Sequence, residues 1–383
     1  MKPTANRIFS ALFALLLLTP LAFTDPTGGG VSEQENRALV SRPRLAEFRR
    51  WPSDFLRQFE RWFSDNVGFR EPLIRLHRPF AAGGFLPYDD ESLGWLAGQE
   101  GHLFYYSNIP RYQGKSILTD DQKQTLANWL RETKRYLDER DIPLVTMLCA
   151  DKESIYPEYY SRAIMRGPEP VQLDILTDYL KEHAAADVFN IRQCLLAEKH
   201  NYLLYNKNVD IAHYNEIGAF FAYVELMKHV RSHLPGITPP LSVEDIVITY
   251  DANGIPDVSL KAGPSYRMLS AGFFDDLPLE WPYAWSNIAY ENNDSTLPVI
   301  LVFRDSYAGY YAGGAGGGDL INQYLPQHFG RTIFVHHDPN IKHIEQCVAR
   351  YKPDIVVIEI VERLLYAFTN NISDFRYTGS FEQ

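Results

Sequence analysis

Cysteine is scarce in the sequence, which has only Cys149, Cys194 and Cys347 in 383 residues. These residues form no CxxC pair and none of the cysteine–histidine spacings typical of zinc ligands, so no structural zinc site is expected. In an exported protein three thiols would permit one disulfide and leave one thiol over. Because Cys149 and Cys194 lie in or beside apolar segments, buried free thiols are the favoured interpretation.

Basic charge is also in short supply. The chain has 37 Lys and Arg against 48 Asp and Glu, which gives a formal net charge of −11. Nucleic-acid binding requires clustered Lys and Arg, so this balance argues against a DNA or RNA partner. It argues equally against tight electrostatic binding of a polyanionic polymer and favours a neutral or acylated substrate. With 45% hydrophobic and 14% aromatic residues, the chain can fold into one large domain or two ordinary ones.

Long apolar runs are missing except at the N-terminus, where Lys2 and Arg7 precede an almost unbroken apolar stretch over residues 8–23. This pattern is typical of a secretory signal and predicts export to the periplasm or another extracytoplasmic site. Residues 21–24 lack a convincing pair of small residues for cleavage, so 1–23 is either a signal peptide or an uncleaved inner-membrane anchor. The run is short for a membrane span. Residues 24–45, with their triple glycine, predict a flexible tether before a single domain over 46–383.

The rest of the chain has the pattern of an α/β protein. Phe55, Phe59, Trp62 and Phe63 recur at helical spacing and predict an amphipathic helix from near Ser53 to just before residue 68. Further helices are predicted over 171–185, 216–234 and 341–351. Short apolar runs with the length of strands buried in a parallel sheet occupy 144–148, 202–205, 299–303, 332–335 and 355–358. Residues 241–297 predict an irregular, partly β insertion with a hairpin turn at 251–254. No internal repeat is visible.

Polar residues follow each predicted strand, and in open α/β sheets ligands bind beyond the carboxyl ends of the strands. The residues at this predicted rim are Asp151, Lys152, Glu153, Asn206, Asp210, His213, Arg304, Asp305, Ser306, His336, His337, Asp338 and Glu359. Ser306 lies at a predicted strand-to-helix turn, where a backbone N–H can stabilise an oxyanion. A serine nucleophile needs a base that is itself oriented by a third group. Asp210 and His213, at i and i+3 on one side of a turn, offer that pair.

Each of these patterns has another interpretation. An Asp-Ser after a strand is commonly a helix cap, and Asp210 could cap the helix that opens at Asn215. Arg304 could bind a substrate carboxylate or acyl carbonyl, although pairing with Asp305 or another rim acid is favoured.

Two other rim segments also have a simpler explanation. Lys152 and Glu153 either shape the pocket or form a salt-bridged turn. No metal is predicted at His336, His337 and Asp338, because adjacent histidines rarely ligate one ion.

Several segments together resemble a known family. They are 35–37, 59–70, 101–105, 151–158, 210–218, 304–307 and 352–359. Their order is similar to that of the AlgJ/AlgX family of SGNH hydrolase-like proteins and its DHHW-type relatives, which take part in O-acetylation of exported polysaccharides. In that family the acid–histidine motif precedes the serine, as it does here. The resemblance implies an SGNH-like parallel sheet flanked by helices.

The resemblance also implies roles for individual residues. Ser306 would be the nucleophile, His213 the general base and Asp210 the orienting acid. The candidate substrate-binding residues are Lys152, Arg304, Tyr214 and Asn215. The family usually has its acid two residues before the histidine, where this sequence has Ile211. A glycine-rich stretch over 312–318 departs from the family too; it lacks the Lys-Ser/Thr of a phosphate loop and is interpreted as a mobile flap or linker.

The implied activity is O-acetylation of a polysaccharide acceptor through an acyl-serine intermediate. A membrane-bound O-acyltransferase would supply acetyl groups across the bilayer, and no cofactor is implied. With water as acceptor, the same residues would make an acetyl esterase. The alternative outside enzymes is a non-catalytic binding or scaffold protein of a polysaccharide export complex, which would be favoured if Ser306 and His213 proved too far apart to share a proton.

Overall fold

The computed structural model describes residues 3–28, 31–32, 37–45, 48, 52–70, 72, 89–90, 95–115, 118–209, 211–252, 254–271, 287–309, 321–336 and 340–372. The chain divides into two units, Met1–Tyr88 and Asp89–Gln383. The predicted start of a folded domain at residue 46 stays a prediction.

Among the described residues of the first unit are two long helices and a short strand pair. Helix α1 is Pro3–Ala22, strands β1 (Val31–Ser32) and β2 (Arg37–Ala38) are antiparallel, and helix α2 is Pro52–Asn66. The predicted amphipathic helix is therefore confirmed, and Phe55 and Trp62 are buried on its apolar face. The β1–β2 pair lies within the segment predicted as a tether. None of the described helices, α1 included, combines the length and apolar character needed to span a membrane.

The second unit is built on a seven-stranded sheet. Its strands are β6 (Leu144–Cys149), β7 (Asp187–Asn190), β10 (Tyr266–Ala271), β11 (Ile288–Asn292), β12 (Val299–Arg304), β13 (Arg331–His336) and β14 (Ile355–Val361). Their order across the sheet is β10-β11-β13-β12-β14-β6-β7. Five neighbouring strands are parallel: β13, β12, β14, β6 and β7. Strands β10 and β11 extend that sheet in antiparallel orientation. The predicted α/β class with a mainly parallel sheet is confirmed.

Strands β6 and β14 are buried along their whole length. A parallel strand buried on both faces needs helices on both sides of the sheet, which explains why these runs are apolar without alternation. The helices of this unit are α3 (Ile109–Tyr112), α4 (Asp120–Asp138), α5 (Lys152–Ile155), α6 (Gln172–Ala184), α7 (Arg192–Glu198), α8 (Glu216–His233), α9 (Ile341–Tyr351) and α10 (Leu365–Ile372). The three helices predicted from residue 171 onward correspond to α6, α8 and α9.

The strand predicted over 202–205 is wrong. Leu204 and Tyr205 are fully buried, as a core strand would be, but the segment is a loop. The backbone N–H of Leu204 donates to the Tyr156 hydroxyl at 3.0 Å, and its carbonyl accepts from the N–H of Asn215 at 2.8 Å. These backbone groups are therefore satisfied outside any sheet. The strand at that edge of the sheet is β7, whose two central residues, Val188 and Phe189, give too short an apolar run to predict a strand.

The region predicted as an insertion is partly β, as expected. Strands β8 (Ile246–Tyr250) and β9 (Pro256–Leu260) form an antiparallel hairpin, so the predicted turn at 251–254 is confirmed. Asp251 Oδ1 accepts from the N–H of Ile255 at 2.8 Å, and Gly254 adopts φ +76°, which favours glycine. Asn253 lies outside the described residues. The later part of the region supplies β10 and β11 to the central sheet.

A smaller antiparallel sheet precedes helix α3. It consists of β3 (Asp89–Asp90), β4 (Trp95–Ala97) and β5 (Leu103–Tyr105). The N–H of Leu103 donates to the carbonyl of Lys207 at 2.7 Å. This bond joins β5 to the loop that leads towards His213.

Gly218 in α8 lies against the 202–205 loop. A Cβ at this position would lie 2.5 Å from the carbonyl oxygen of Leu204. Gly218→Ala should therefore lower the free energy of unfolding by about 1–3 kcal/mol, although alanine ordinarily stabilises a helix relative to glycine. Urea denaturation followed by circular dichroism measures the change. Gly236→Ala is the control, because a Cβ there meets nothing within 4 Å; equal stability of both variants would contradict the packing argument.

Candidate active site

Ser306 lies directly beyond the carboxyl end of β12, which pairs with β13 on one side and β14 on the other. The preceding residue, Asp305, fixes the turn. Its Oδ1 accepts from the N–H of Tyr307 at 2.9 Å and its Oδ2 from the N–H of Val361 at 2.7 Å. Its own N–H donates to Glu359 Oε2 at 3.0 Å. Asp305 is buried, whereas Ser306 is half-buried. The turn is therefore held by a buried side chain, and Ser306 is partly accessible at the edge of the sheet.

His213 Nε2 lies 2.8 Å from Ser306 Oγ, across a separation of 93 residues in the chain. The imidazole is 5% exposed. It projects from the loop just before α8, and Asn215 caps that helix: its Oδ1 accepts from the N–H groups of Ile217 and Gly218, each at 3.1 Å. The cap of this helix is thus Asn215 itself. Asp210 lies outside the described residues, so its role as the orienting acid stays a prediction.

Arg363, which sequence reasoning missed, also reaches the imidazole. Its Nη2 lies 3.4 Å from His213 Nε2, and its Nη1 donates to the carbonyl of Ala212 at 3.0 Å and to Asp151. Arg363 was not predicted because the end of the last strand was placed too early. The last strand was predicted to end at residue 358, which placed Glu359 at the rim, but β14 continues to Val361 and Glu359 is fully buried within it. With the observed end, the strand-end rule points to Glu362 and Arg363.

Asp151, Glu153 and Glu362 form a buried carboxylate cluster beside Arg363. It is the one group among the described residues whose side chains could together hold a metal ion. The Arg111 guanidinium already lies among them, 3.3 Å from Asp151 Oδ2, 3.9 Å from Glu153 Oε1 and 3.8 Å from Glu362 Oε1. A cation is therefore supplied by the chain itself, and the cluster fits an ion-pair network better than a metal site.

The protonation of this cluster is perturbed. Burial, with the neighbouring charge of Asp151, raises the pKa of Glu362 to about 7, although Arg111 acts in the opposite direction. Burial and Asp151 likewise raise the pKa of Glu153 well above its usual value. Three buried carboxyl groups share two guanidinium groups, Arg111 and Arg363, and their crowding and burial favour retention of protons.

The candidate substrate-binding residues Lys152, Arg304, Tyr214 and Asn215 are all buried. Lys152 Nζ donates to the carbonyls of Leu103, Asn206 and Lys207 at 2.8, 2.6 and 2.9 Å. Lys152 thus holds β5 to the 206–207 loop. These contacts are with backbone carbonyls, and pocket shaping by Lys152 stays a prediction.

Arg304 donates to the backbone carbonyls of Asp305 and Gly309. Burial lowers the pKa of Arg304 to about 10, while the charges of Glu359 and Asp305 oppose the shift. The hydrogen bonds described for Arg304 go to backbone carbonyls, so its pairing with Asp305 or another rim acid stays a prediction. Tyr214 packs edge-on against Tyr205 and Tyr307. Direct contact of any of these four side chains with a substrate stays a prediction.

Of the 336–338 candidates, the structure describes His336. The N–H of His336 donates to Asn287 Oδ1 at 3.1 Å, while His337, Asp338 and the glycine-rich stretch 312–318 lie outside the described residues. All three cysteines are free thiols, with Cys149 and Cys347 buried and Cys194 partly buried. The prediction of free thiols is confirmed.

The carboxylate cluster predicts a pH dependence of stability. Because the pKa of Glu362 rises from its ordinary 4.5 to about 7 on folding, its contribution is fully present below pH 4.5 and is lost as the pH rises through 7. Full loss corresponds to about 3 kcal/mol. Glu362→Gln cannot titrate, so its melting temperature should increase relative to wild type between pH 5 and pH 8.

Differential scanning fluorimetry across that pH range measures the effect. Glu139→Gln is the control, since the Glu139 side chain is 63% exposed. A constant difference between wild type and Glu362→Gln at every pH would refute the assigned shift.

A comparison with known proteins shows which family this chain resembles. Residues 96–245 match the model of the SGNH hydrolase-like domain of acetyltransferase AlgX. The curated proteins contain no significant match to the sequence.

Among solved structures, Bacillus cereus PatB1 with a sulfonyl adduct is 16% identical, with a TM-score of 0.51 over 72% of this chain and 97% of that chain. The O-acetyltransferase domain of Pseudomonas putida AlgJ is 16% identical, with a TM-score of 0.46 over 76% and 96%. A DHHW family protein from Eubacterium siraeum is 12% identical, with a TM-score of 0.49 over 75% and 97%. At such identities the likeness to PatB1 shows a shared fold. The family match confirms the resemblance predicted from the sequence: this chain is similar to the AlgJ/AlgX group of SGNH hydrolase-like proteins.

Proposed function

We propose that this chain is an exported, serine-dependent O-acetyltransferase that acts on a cell-surface or secreted polysaccharide. The observation that carries the proposal is the 2.8 Å contact between His213 Nε2 and Ser306 Oγ. A hydroxyl becomes a useful nucleophile when a base within hydrogen-bond reach takes its proton. Ser306 lies outside the residues that match the family model, which contain His213. The contact is thus an observation independent of the family match.

The proposed reaction has two half-reactions on one serine. His213 Nε2 takes the hydroxyl proton while Ser306 Oγ attacks the carbonyl carbon of the acetyl donor. The tetrahedral intermediate expels the donor's leaving group, which takes the proton from His213, and acetyl-Ser306 remains. His213 then deprotonates a sugar hydroxyl, which attacks the acetyl carbonyl and releases Ser306 with its proton restored. The Ser306 N–H is the proposed oxyanion donor and Asp210 the proposed partner of the imidazole.

The competing functions differ in what accepts the acetyl group. An esterase would use water in the second half-reaction with the same residues. The acetyltransferase description of the matching family favours transfer to a sugar. A purely structural scaffold protein has no need for a serine and a histidine in hydrogen-bond contact, so the observed distance argues against that alternative.

The partners follow from this proposal. The acceptor would be a polysaccharide, and a membrane-bound O-acyltransferase would deliver acetyl groups across the bilayer. The basic start and apolar run over residues 8–23 support an extracytoplasmic location. The net charge of −11 favours a neutral or acylated polymer over a polyanionic one.

Ser306→Ala should reduce turnover of p-nitrophenyl acetate by at least about 10³-fold, because the acyl acceptor of the first half-reaction is lost. Mass spectrometry of the wild type should find an acetyl adduct on the peptide that contains Ser306. Ser232→Ala, which changes an exposed serine, is the matched control and should keep full activity. Undiminished turnover in the Ser306 variant would refute the mechanism.

Transfer and hydrolysis are separated by the fate of the acetyl group. With p-nitrophenyl acetate as donor and neutral oligosaccharides as acceptors, the transferase should yield acetylated glycan faster than free acetate. Both products are quantified by mass spectrometry. Acetate as the sole product with every acceptor would favour the esterase.

A further inference from the structure

We propose that Asp151, Tyr307 and Arg363 form a clamp on the Ala212 carbonyl that positions His213 for its reaction with Ser306. This proposal rests on the proposed function, since it concerns the same serine and histidine. The three residues are positioning residues: they act through the backbone of the base loop. None of them was a candidate for this role in the sequence.

The clamp centres on one carbonyl oxygen. Ala212 O lies 2.6 Å from the Tyr307 hydroxyl and accepts from Arg363 Nη1 at 3.0 Å. Both distances are within the normal range for hydrogen bonds. The carbonyl belongs to the peptide group that joins Ala212 to His213. Two donors from different directions therefore fix the plane of that peptide, and with it the direction in which the imidazole leaves the backbone.

Asp151 holds the Arg363 donor in place and lies beside the Tyr307 donor. Its Oδ1 lies 3.2 Å from the Tyr307 hydroxyl and pairs with Arg363 Nη1. Asp151 and Tyr307 are 1% and 0% exposed, so water does not compete for these contacts. Arg363 remains charged in this setting: burial lowers its pKa, but Asp151, Tyr307 and Asp305 act together in the opposite direction and the net shift is upward.

Arg363 also limits the motion of the imidazole ring. Its Nη2 lies 3.4 Å from His213 Nε2, longer than a good N–H···N hydrogen bond, whereas Ser306 Oγ lies at 2.8 Å from the same nitrogen. The serine is thus the preferred partner of Nε2. The Arg363 guanidinium lies beside Nε2 and also over the Tyr307 ring, with Cζ 4.9 Å from the ring centroid.

The clamp links loops at the carboxyl ends of three parallel strands. Asp151 follows β6, Tyr307 follows β12 and Arg363 follows β14, while Ala212 comes from the loop before α8. Tyr307 is the residue next to the nucleophile, so one side chain restrains the base loop and shares the nucleophile's turn. Any shift between the two loops must break at least one of these bonds.

The test uses Tyr307→Phe, Arg363→Lys and the double variant. The rate of covalent labelling of Ser306 by a phenylmethylsulfonyl fluoride probe, followed by mass spectrometry, reports how well His213 activates the hydroxyl without an acceptor. Each single change should slow labelling and kcat for p-nitrophenyl acetate by roughly 10- to 100-fold with KM unchanged, because a small misplacement of reacting groups has an effect of that size. The two losses should not be multiplicative in the double variant, since both donors act on one carbonyl.

Tyr266→Phe is the matched control, because that hydroxyl also donates to a backbone carbonyl, of Gln323 at 2.8 Å, away from the site. It should label at the wild-type rate. Circular dichroism checks that each variant is folded. If Arg363→Lys does not fold, Tyr307→Phe alone decides, since it removes a single hydroxyl from an otherwise unchanged ring.

The outcomes separate the two proposals. Wild-type protein that is never labelled at Ser306 would refute the proposed function. Wild-type labelling at Ser306, with folded variants that are labelled equally fast or whose losses multiply, would overturn the clamp alone.

Discussion

The site depends on the two backbone hydrogen bonds that the Asp305 carboxylate accepts. These bonds come from the N–H groups of Tyr307 and Val361, and they join the end of β12 to the end of β14. An ionised carboxylate buried without partners would be strongly destabilising. Here both oxygens accept backbone hydrogen bonds. Its neighbour Glu359 is different: burial and the charge of Asp305 raise the pKa of Glu359 well above its usual value. Ionisation of Glu359 is therefore disfavoured relative to an exposed glutamate, while the Asp305 carboxyl group accepts the backbone hydrogen bonds that shape the nucleophile turn.

A second set of buried charges supports the base loop. Arg111 and Arg363 face Asp151, Glu153 and Glu362. Such networks stabilise less than an apolar core of equal volume, because each charge loses its hydration. Their advantage is directional, since a guanidinium fixes both distance and angle. That property suits a site in which two loops, ninety-three residues apart in the chain, must meet at hydrogen-bond distance.

Much of this arrangement could be predicted from the sequence, and the failures share a physical cause. Apolar runs of four or five residues predicted β6, β12, β13 and β14, and the strand-end rule then predicted Ser306. The same criterion misassigned 202–205, where burial comes from loop packing and not from a sheet. It also ended β14 too early, because Glu359 was taken for a surface acid.

The errors at β14 and 202–205 show a limit of apolar patterns. A glutamate can be fully buried inside a strand, as Glu359 is, and no single-residue pattern reveals that burial. The contacts of Arg363 depend on the true end of β14 and on a loop from elsewhere in the chain. Such a convergence follows from three-dimensional packing, so sequence spacing alone could not predict it. His213 was found for a different reason, because its segment carried a family resemblance as well as a polar pattern.

The hydrogen bonds made by the basic side chains around the site bear on the proposed substrate. Lys152, Arg304 and Arg363 are described basic side chains around the site, and each donates to backbone carbonyls or a carboxylate. Their charge is thus used to hold loops together. A polyanionic polymer would need basic groups at the rim to offset its own charge, and the overall charge of −11 would repel it. A neutral sugar needs only groups that hydrogen-bond to its hydroxyls and a base that takes a hydroxyl proton. His213, whose Nε2 lies 2.8 Å from Ser306 Oγ, is placed to act as that base. Charge distribution and site geometry therefore favour the same class of acceptor.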